Sequence, residues 1–269
     1  MAEADVEDET DPVRIRHRDL EKIANAALRI GRALMECGAS VRVIHEGATL
    51  TARGLGAKNV SVRVGYASLA INVAADGLTI TRMIDVGRHG VNHRLDIAVR
   101  SLASAVAATG GTAAAVHDEL DRLVRETPRH AGWLVALATG TACAAFGRLL
   151  GIDWLAFGPV LVAATIGQAL RHHMLMRGIN LFVTAAVIAF LASSLSGWGA
   201  QLAGSGSVDT AMMASVLLLV PGVPATNAQT DIMDGYPTVG SSRAVWVAMV
   251  MVFASTGLWL AQGLLRALP

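Results

Sequence analysis

The chain has 269 residues, of which 53% are hydrophobic and only 16% charged, and its formal net charge is +1. Soluble domains carry about 25% charged residues, so the composition excludes an ordinary soluble globule, and the near-neutral balance excludes the basic footprint of a nucleic-acid binder. Cys37 ends a helical pattern and Cys143 sits inside an apolar run, surroundings that fit two small buried residues rather than a disulfide or a metal site.

The first dozen residues, "MAEADVEDETDP", are acidic and have no apolar core. They are neither a signal nor a transit peptide, and residues 1–18 are expected to be a disordered tail. Nearly all the charge lies before residue 131, so residues 19–130 read as a soluble cytoplasmic α/β domain. In "DLEKIANAALRIGRALME", Leu20, Ile23, Ala27, Ile30 and Leu34 fall at helical spacing, and Gly38 is placed to end that helix. A second helix runs from a Ser40 cap towards Gly54 or Gly56. Spacing two then takes over around Val60, Val62 and Val64 and around Leu69, Ile71 and Val73. Asp76-Gly77 signals a turn into a third strand, Leu78–Ile84. Helical spacing returns at "VNHRLDIAVRSLASAVAAT" and at "TAAAVHDELDRLVRET", with Thr112 as a cap and Pro128 as the stop. The order is two helices, three strands, two helices.

The rest, 131–269, is expected to be a transmembrane domain. A spanning helix needs about 20 mostly apolar residues, and the runs parse into five spans at 131–148, 154–171, 178–197, 208–225 and 242–265. With the N-terminal domain inside, the loop at 171–177 is also inside and carries Arg171 and Arg177, while the outer loop at 198–209 has no Lys or Arg. That follows the positive-inside rule, with Arg148 and Arg266 as exceptions on the outer side. The expectation is a multi-pass protein of the inner membrane.

The fourth span breaks at Pro221, Gly222 and Pro224 and runs into Asn227, Gln229, Asp231 and Asp234. Each proline removes a backbone donor, and Gly222 is expected to allow the bend. Irregular backbone at membrane depth is tolerated only where protein buries it or it lines a wet cavity. If the helix resumes after Pro224, then Asn227, Asp231 and Asp234 stand at i, i+4 and i+7 on one face, with Gln229 elsewhere. Secondary transporters build substrate and proton sites beside broken helices in this way. The alternative is a hydrated cytoplasmic loop in which Asp231 caps a helix or pairs with Arg243. Asn180 could hydrogen-bond across helices or line the path, and Arg171 could attract an anionic solute or lipid. No nucleotide-binding glycine motif and no nucleophile–base–oxyanion set is visible, so no cofactor, no metal and no enzymatic activity are expected.

The segment "PGVPATNAQTDIMDG", with Gly240 and Arg243 after it, resembles the signature of the threonine/serine exporter family in Pro221, Gly222, Asn227, Asp231, Gly235, Gly240 and Arg243. Upstream, Gly38-Ala39, Arg42-Val43 and Gly56 resemble that family's N-terminal domain, and the likeness covers roughly residues 20–265. It implies the larger subunit of a two-part exporter that works with a smaller membrane subunit of about four spans, or as a homo-oligomer. The implied activity is proton-driven export of threonine and serine, or of succinate in the split form. On that likeness Asp231 is the proton-linked carboxylate, Asn227 a substrate or backbone ligand, Pro221 and Gly222 the break, and Asp234 and Arg243 supporting charges. The competing reading is a membrane-anchored sensor or scaffold whose first domain binds a ligand or a protein.

Overall fold

The computed structural model describes residues 17–87, 90–127 and 130–267. The expected tail over 1–18 lies outside them except for its last two residues, which open the first helix. Contacts divide the chain between residues 128 and 129, and the short segment Asn227–Ser241 belongs with the first unit.

In the first unit, α1 (His17–Glu36) buries Leu20, Ile23, Ala27, Ile30 and Leu34, the stripe its spacing dictates. Helix α2 (Val41–Gly54) follows, then β1 (Asn59–Val64), β2 (Ser68–Ala75) and β3 (Leu78–Asp85). The strands form one antiparallel sheet in the order β1-β2-β3, with Val62 opposite Ile71 and Val73 opposite Ile80. Leu69, Ile71, Val73 and Ala75 point alternately inward beneath α1. Asp76 and Gly77 join β2 to β3 at φ +48° and +81°, the left-handed pair that a two-residue hairpin requires. Helices α3 (His93–Thr109) and α4 (Ala113–Glu126) complete the unit, each capped by a side chain: Asn92 accepts from the Leu95 amide and Thr112 from the Ala115 amide.

The second unit holds α5 (Gly132–Leu149), α6 (Trp154–Met176), α7 (Leu181–Leu202) and α8 (Val208–Val216). A 3-10 turn, Leu217–Leu219, leads on to α9 (Gly222–Met233), and α10 (Pro237–Ala267) closes the described chain. Among the described residues four helices, α5, α6, α7 and α10, are long and apolar enough to cross a membrane. A fifth crossing is counted if α8 and α9, which meet at a 64° bend, form one broken span. The expected loop at 171–177 is different: α6 continues helically through "RHHMLM" to Met176. Long polar side chains do not break a helix, since they can carry their charged ends towards water while the backbone stays helical. The stop comes at Gly178, whose φ is +75°. Helix α7 likewise runs on to Leu202, which shortens the expected outer loop.

Small residues set the packing here. Ala144, Ala164, Ala189 and Ala192 lie in the core, and Ser196 Oγ donates across to the Ala211 carbonyl at 3.0 Å. Trp133, Phe146, Trp154 and Trp259 face outward, which suits lipid contact.

Helix α10 crosses α7 at Gly257, where an added methyl would meet the Ala186 carbonyl and come within 2.9 Å of Ala189 Cβ and of the Phe190 nitrogen. Gly257→Ala is therefore expected to destabilise the protein by about 1–3 kcal/mol, the usual result of overpacking. Gly263→Ala, on the same helix with open space around it, should leave thermal unfolding in detergent unchanged or slightly raised. Equal melting of the two variants would contradict this packing.

Candidate functional site

The site is built on the corner between α1 and α2. Helix α1 ends in a left-handed glycine: Gly38 has φ +88°, its N–H donates to the Met35 carbonyl at 3.1 Å, and the Ala39 N–H donates to the Leu34 carbonyl at 3.1 Å. This is the paired closure that a glycine just past a helix end allows. Three carbonyls beyond it still need donors. Glu36 receives the Gly90 amide at 2.9 Å and Cys37 the Asn92 amide at 3.3 Å. Gly38 receives the side-chain amide of Asn227 at 2.6 Å. No larger residue fits at 38, because a Cβ there would lie 2.6 Å from the Gly90 carbonyl oxygen.

Helix α2 begins three residues later, at Val41, and presents unpaired amides of its own. Ser40 has the extended backbone of a cap residue but makes no side-chain cap bond. The acceptor comes from far along the chain: Asp231 Oδ1 receives the Val41 amide at 2.8 Å. A carboxylate at a helix N-terminus is favoured both by the hydrogen bond and by the positive end of the helix dipole. Asp231 is fully buried. Beside it Arg42 Nε lies 3.3 Å from Asp234 Oδ2, a pair in which the Arg42 side chain is 69% exposed and which therefore contributes little.

Asn227, Asp231 and Asp234 thus reach residues 38–42 from one face of α9 and its last turn, and Gln229 points to solvent. The i, i+4, i+7 spacing gives this face directly. The glycines around it have separate reasons. Gly235, at φ +87°, ends α9, and the Tyr236 N–H closes back on the Asp231 carbonyl at 2.7 Å. Gly240 lets the first turn of α10 approach α9, since a Cβ there would lie 2.8 Å from the Ala228 carbonyl oxygen. Sequence reasoning did not identify the α1–α2 corner as the partner of this face. The one local signal was Ser40, a cap residue in a chain that supplies a better acceptor elsewhere.

The remaining sequence-predicted residues belong to the second unit. The break does not require Gly222, which is not left-handed and around which a Cβ would meet open space. It comes instead from Val220, extended at φ −64°, ψ 117° ahead of Pro221, as the residue before a proline tends to be. Pro224 falls in the first turn of α9, where its missing N–H has no intrahelical partner to lose. Asn180 is the N-cap of α7, with its side-chain oxygen accepting from the Phe182 amide at 2.8 Å and from the Val183 amide at 3.4 Å. Arg171 is half-buried on α6, with Nη1 3.4 Å from Gln168 Oε1 and 3.5 Å from the Leu218 carbonyl oxygen. Arg243 is buried on α10. Among the described residues no group of three or more His, Cys, Asp or Glu side chains is placed to hold a metal ion.

A family model described as "Putative threonine/serine exporter" matches residues 25–265. Two curated relatives both carry the name "Probable succinate transporter subunit YjjP". The one from Escherichia coli (strain K12) is 26% identical over 247 residues, covering 89% of this chain and 93% of its own. The one from Klebsiella aerogenes is 26% identical over 237 residues, covering 85% of this chain and 88% of its own. No solved structure matches the chain.

Removing either polar contact leaves a backbone group of the corner without that partner, the buried Val41 amide or the half-buried Gly38 carbonyl, which costs about 1–3 kcal/mol. Asn227→Ala and Asp231→Ala should each lower thermal stability by that order. Asp231→Asn keeps an acceptor for the Val41 amide and should lose less than Asp231→Ala. Unfolding in detergent followed by circular dichroism checks the ranking, and an Asp231→Ala variant as stable as the wild type would rule the cap out.

Proposed function

The chain belongs to the threonine/serine exporter family, and we propose that it is the larger subunit of a secondary exporter. It would move a small polar amino acid or a dicarboxylate such as succinate outward across the inner membrane, coupled to proton entry. The observation that carries this reading is the α8–α9 pair, bent by 64° at the break, whose second half bears a buried carboxylate. Helix α9 begins at the break beside Pro221 and holds Asp231 within its length. The relatives' name, that of a transporter subunit, supports a multi-part assembly. The partner in this reading is a smaller membrane subunit of about four spans or a second copy of the chain, with the first unit on the cytoplasmic side.

Asp231 is the proposed proton-linked group. As a carboxylate it accepts the Val41 amide and faces the positive end of α2. As a neutral acid it would keep an acceptor oxygen but lose the charge–dipole attraction, worth about 0.3–1 kcal/mol at exposed helix ends and up to about 2 kcal/mol in partly buried ones. Protonation would therefore loosen the hold of α9 on the α1–α2 corner. A helix that starts at the break and ends at the corner would transmit that loosening to the crossing. Asn227 maintains the corner in both states, and Asp234 with Arg42 lends weak outer support.

The test uses vesicles that contain the chain together with its partner subunit, with labelled threonine and succinate efflux followed under an imposed proton gradient. Asp231→Asn should insert and melt much as the wild type does, yet lose gradient-driven efflux. Full efflux from that variant would leave Asp231 a structural cap and remove it from coupling.

A further inference from the structure

The break in the second unit creates a polar spot that the proton-linked group does not use. Leu218 lies in the 3-10 turn before Pro221. The donor three residues on would be Pro221, which has no N–H. The donor four residues on, the Gly222 amide, is taken by the Val220 carbonyl at 2.9 Å. The Leu218 carbonyl is therefore left with a single donor among the described residues, Arg171 Nη1 at 3.5 Å, the long limit of a hydrogen bond.

Arg171 is equally underused. A guanidinium carries five N–H donors in a planar fork. Its contacts here are two long ones, both from Nη1, to Gln168 Oε1 at 3.4 Å and to Leu218. No Asp or Glu among the described residues forms an ion pair with it. A half-buried cation with open donors, at the end of an apolar helix, is held ready for an anion. Both of its hydrogen-bond partners are acceptors, a backbone carbonyl and an amide oxygen. Leu217, Leu218 and Val220 also line an apolar groove of about 620 Å³ with Val135, Thr139 and Phe146 of α5, which brings open space up to this turn.

We propose that Arg171, the Leu218 carbonyl and Gln168 form a binding site for a small 2-amino acid. The inference rests on the exporter reading above and names the solute end of it. The solute carboxylate takes the free edge of the guanidinium fork, two parallel charge-assisted bonds that such a fork favours. The ammonium takes the Leu218 carbonyl and Gln168 Oε1, the acceptors already at its side. A dicarboxylate satisfies the first half only, because its second carboxylate finds acceptors where it needs donors. The site therefore favours threonine over succinate.

The test compares wild type, Arg171→Gln and Arg171→Lys with the partner subunit in vesicles, and reads both efflux kinetics and the shift in melting temperature that added threonine produces. Arg171→Gln should raise the threonine KM by about tenfold or more, as expected for loss of a charged anchor, with little change in maximal rate. Arg171→Lys, which keeps the charge and loses the fork, should fall between. Threonine should stabilise the wild type and not Arg171→Gln. An unchanged KM and an unchanged threonine shift in both variants would overturn the site, and a wild type that prefers succinate would overturn the amino-acid assignment. Repeating the series with and without phosphatidylglycerol separates the solute from a lipid phosphate. An Arg171→Gln effect confined to vesicles with the anionic lipid would assign the guanidinium to lipid instead. A wild type that exports neither solute, yet is stabilised by threonine through Arg171, would remove the exporter reading and keep the binding site.

Discussion

Where one helix stops and another starts within four residues, the chain exposes carbonyls on one side of the corner and amides on the other, and once buried each needs a partner. Here the partners come from two distant stretches. Backbone amides of residues 90 and 92 cover the carbonyls of Glu36 and Cys37. The side chains of Asn227 and Asp231 cover the carbonyl of Gly38 and the amide of Val41. The charged member of this set matters most, because a buried carboxylate is tolerable only where hydrogen bonds and a favourable field offset its desolvation. The N-terminus of α2 supplies both.

This corner explains why two blocks of sequence nearly 190 residues apart behave as one unit. The left-handed Gly38, the tight approach at Gly240 and the chain reversal at Gly235 are geometric conditions for bringing Asn227 and Asp231 to residues 38–41. The polarity at the break has a different origin: Pro221 withdraws a donor, the Leu218 carbonyl is left short, and Arg171 stands beside it. One helix, α9, begins at the break and carries the side chains that hold the corner. In the proposed exporter that continuity is what would let protonation at one end be felt at the other.

Much of the local structure could be read directly. The buried stripe of α1 follows from apolar residues at helical spacing, the β2–β3 hairpin from Asp76-Gly77, and the shared face of Asn227, Asp231 and Asp234 from their i, i+4, i+7 positions. Three things could not. The partners of that face are fixed by tertiary contact and leave only Ser40 as a local trace. Helix α6 runs through "RHHMLM" because polar side chains end an apolar run without ending a helix, and the stop comes only at Gly178. Gly222 looked like the hinge because it sits between two prolines, yet the extended residue ahead of Pro221 makes the bend.

Hydrogen–deuterium exchange at the Val41 amide tests the central interaction most directly. An N-terminal helix amide with no acceptor exchanges at rates typical of open, frayed structure. A Val41 amide held by the buried Asp231 carboxylate should instead be protected as strongly as amides in the interior of α2, and lose that protection in Asp231→Ala. Fast exchange at Val41 in the wild-type protein, while the rest of α2 stays protected, would contradict the cap.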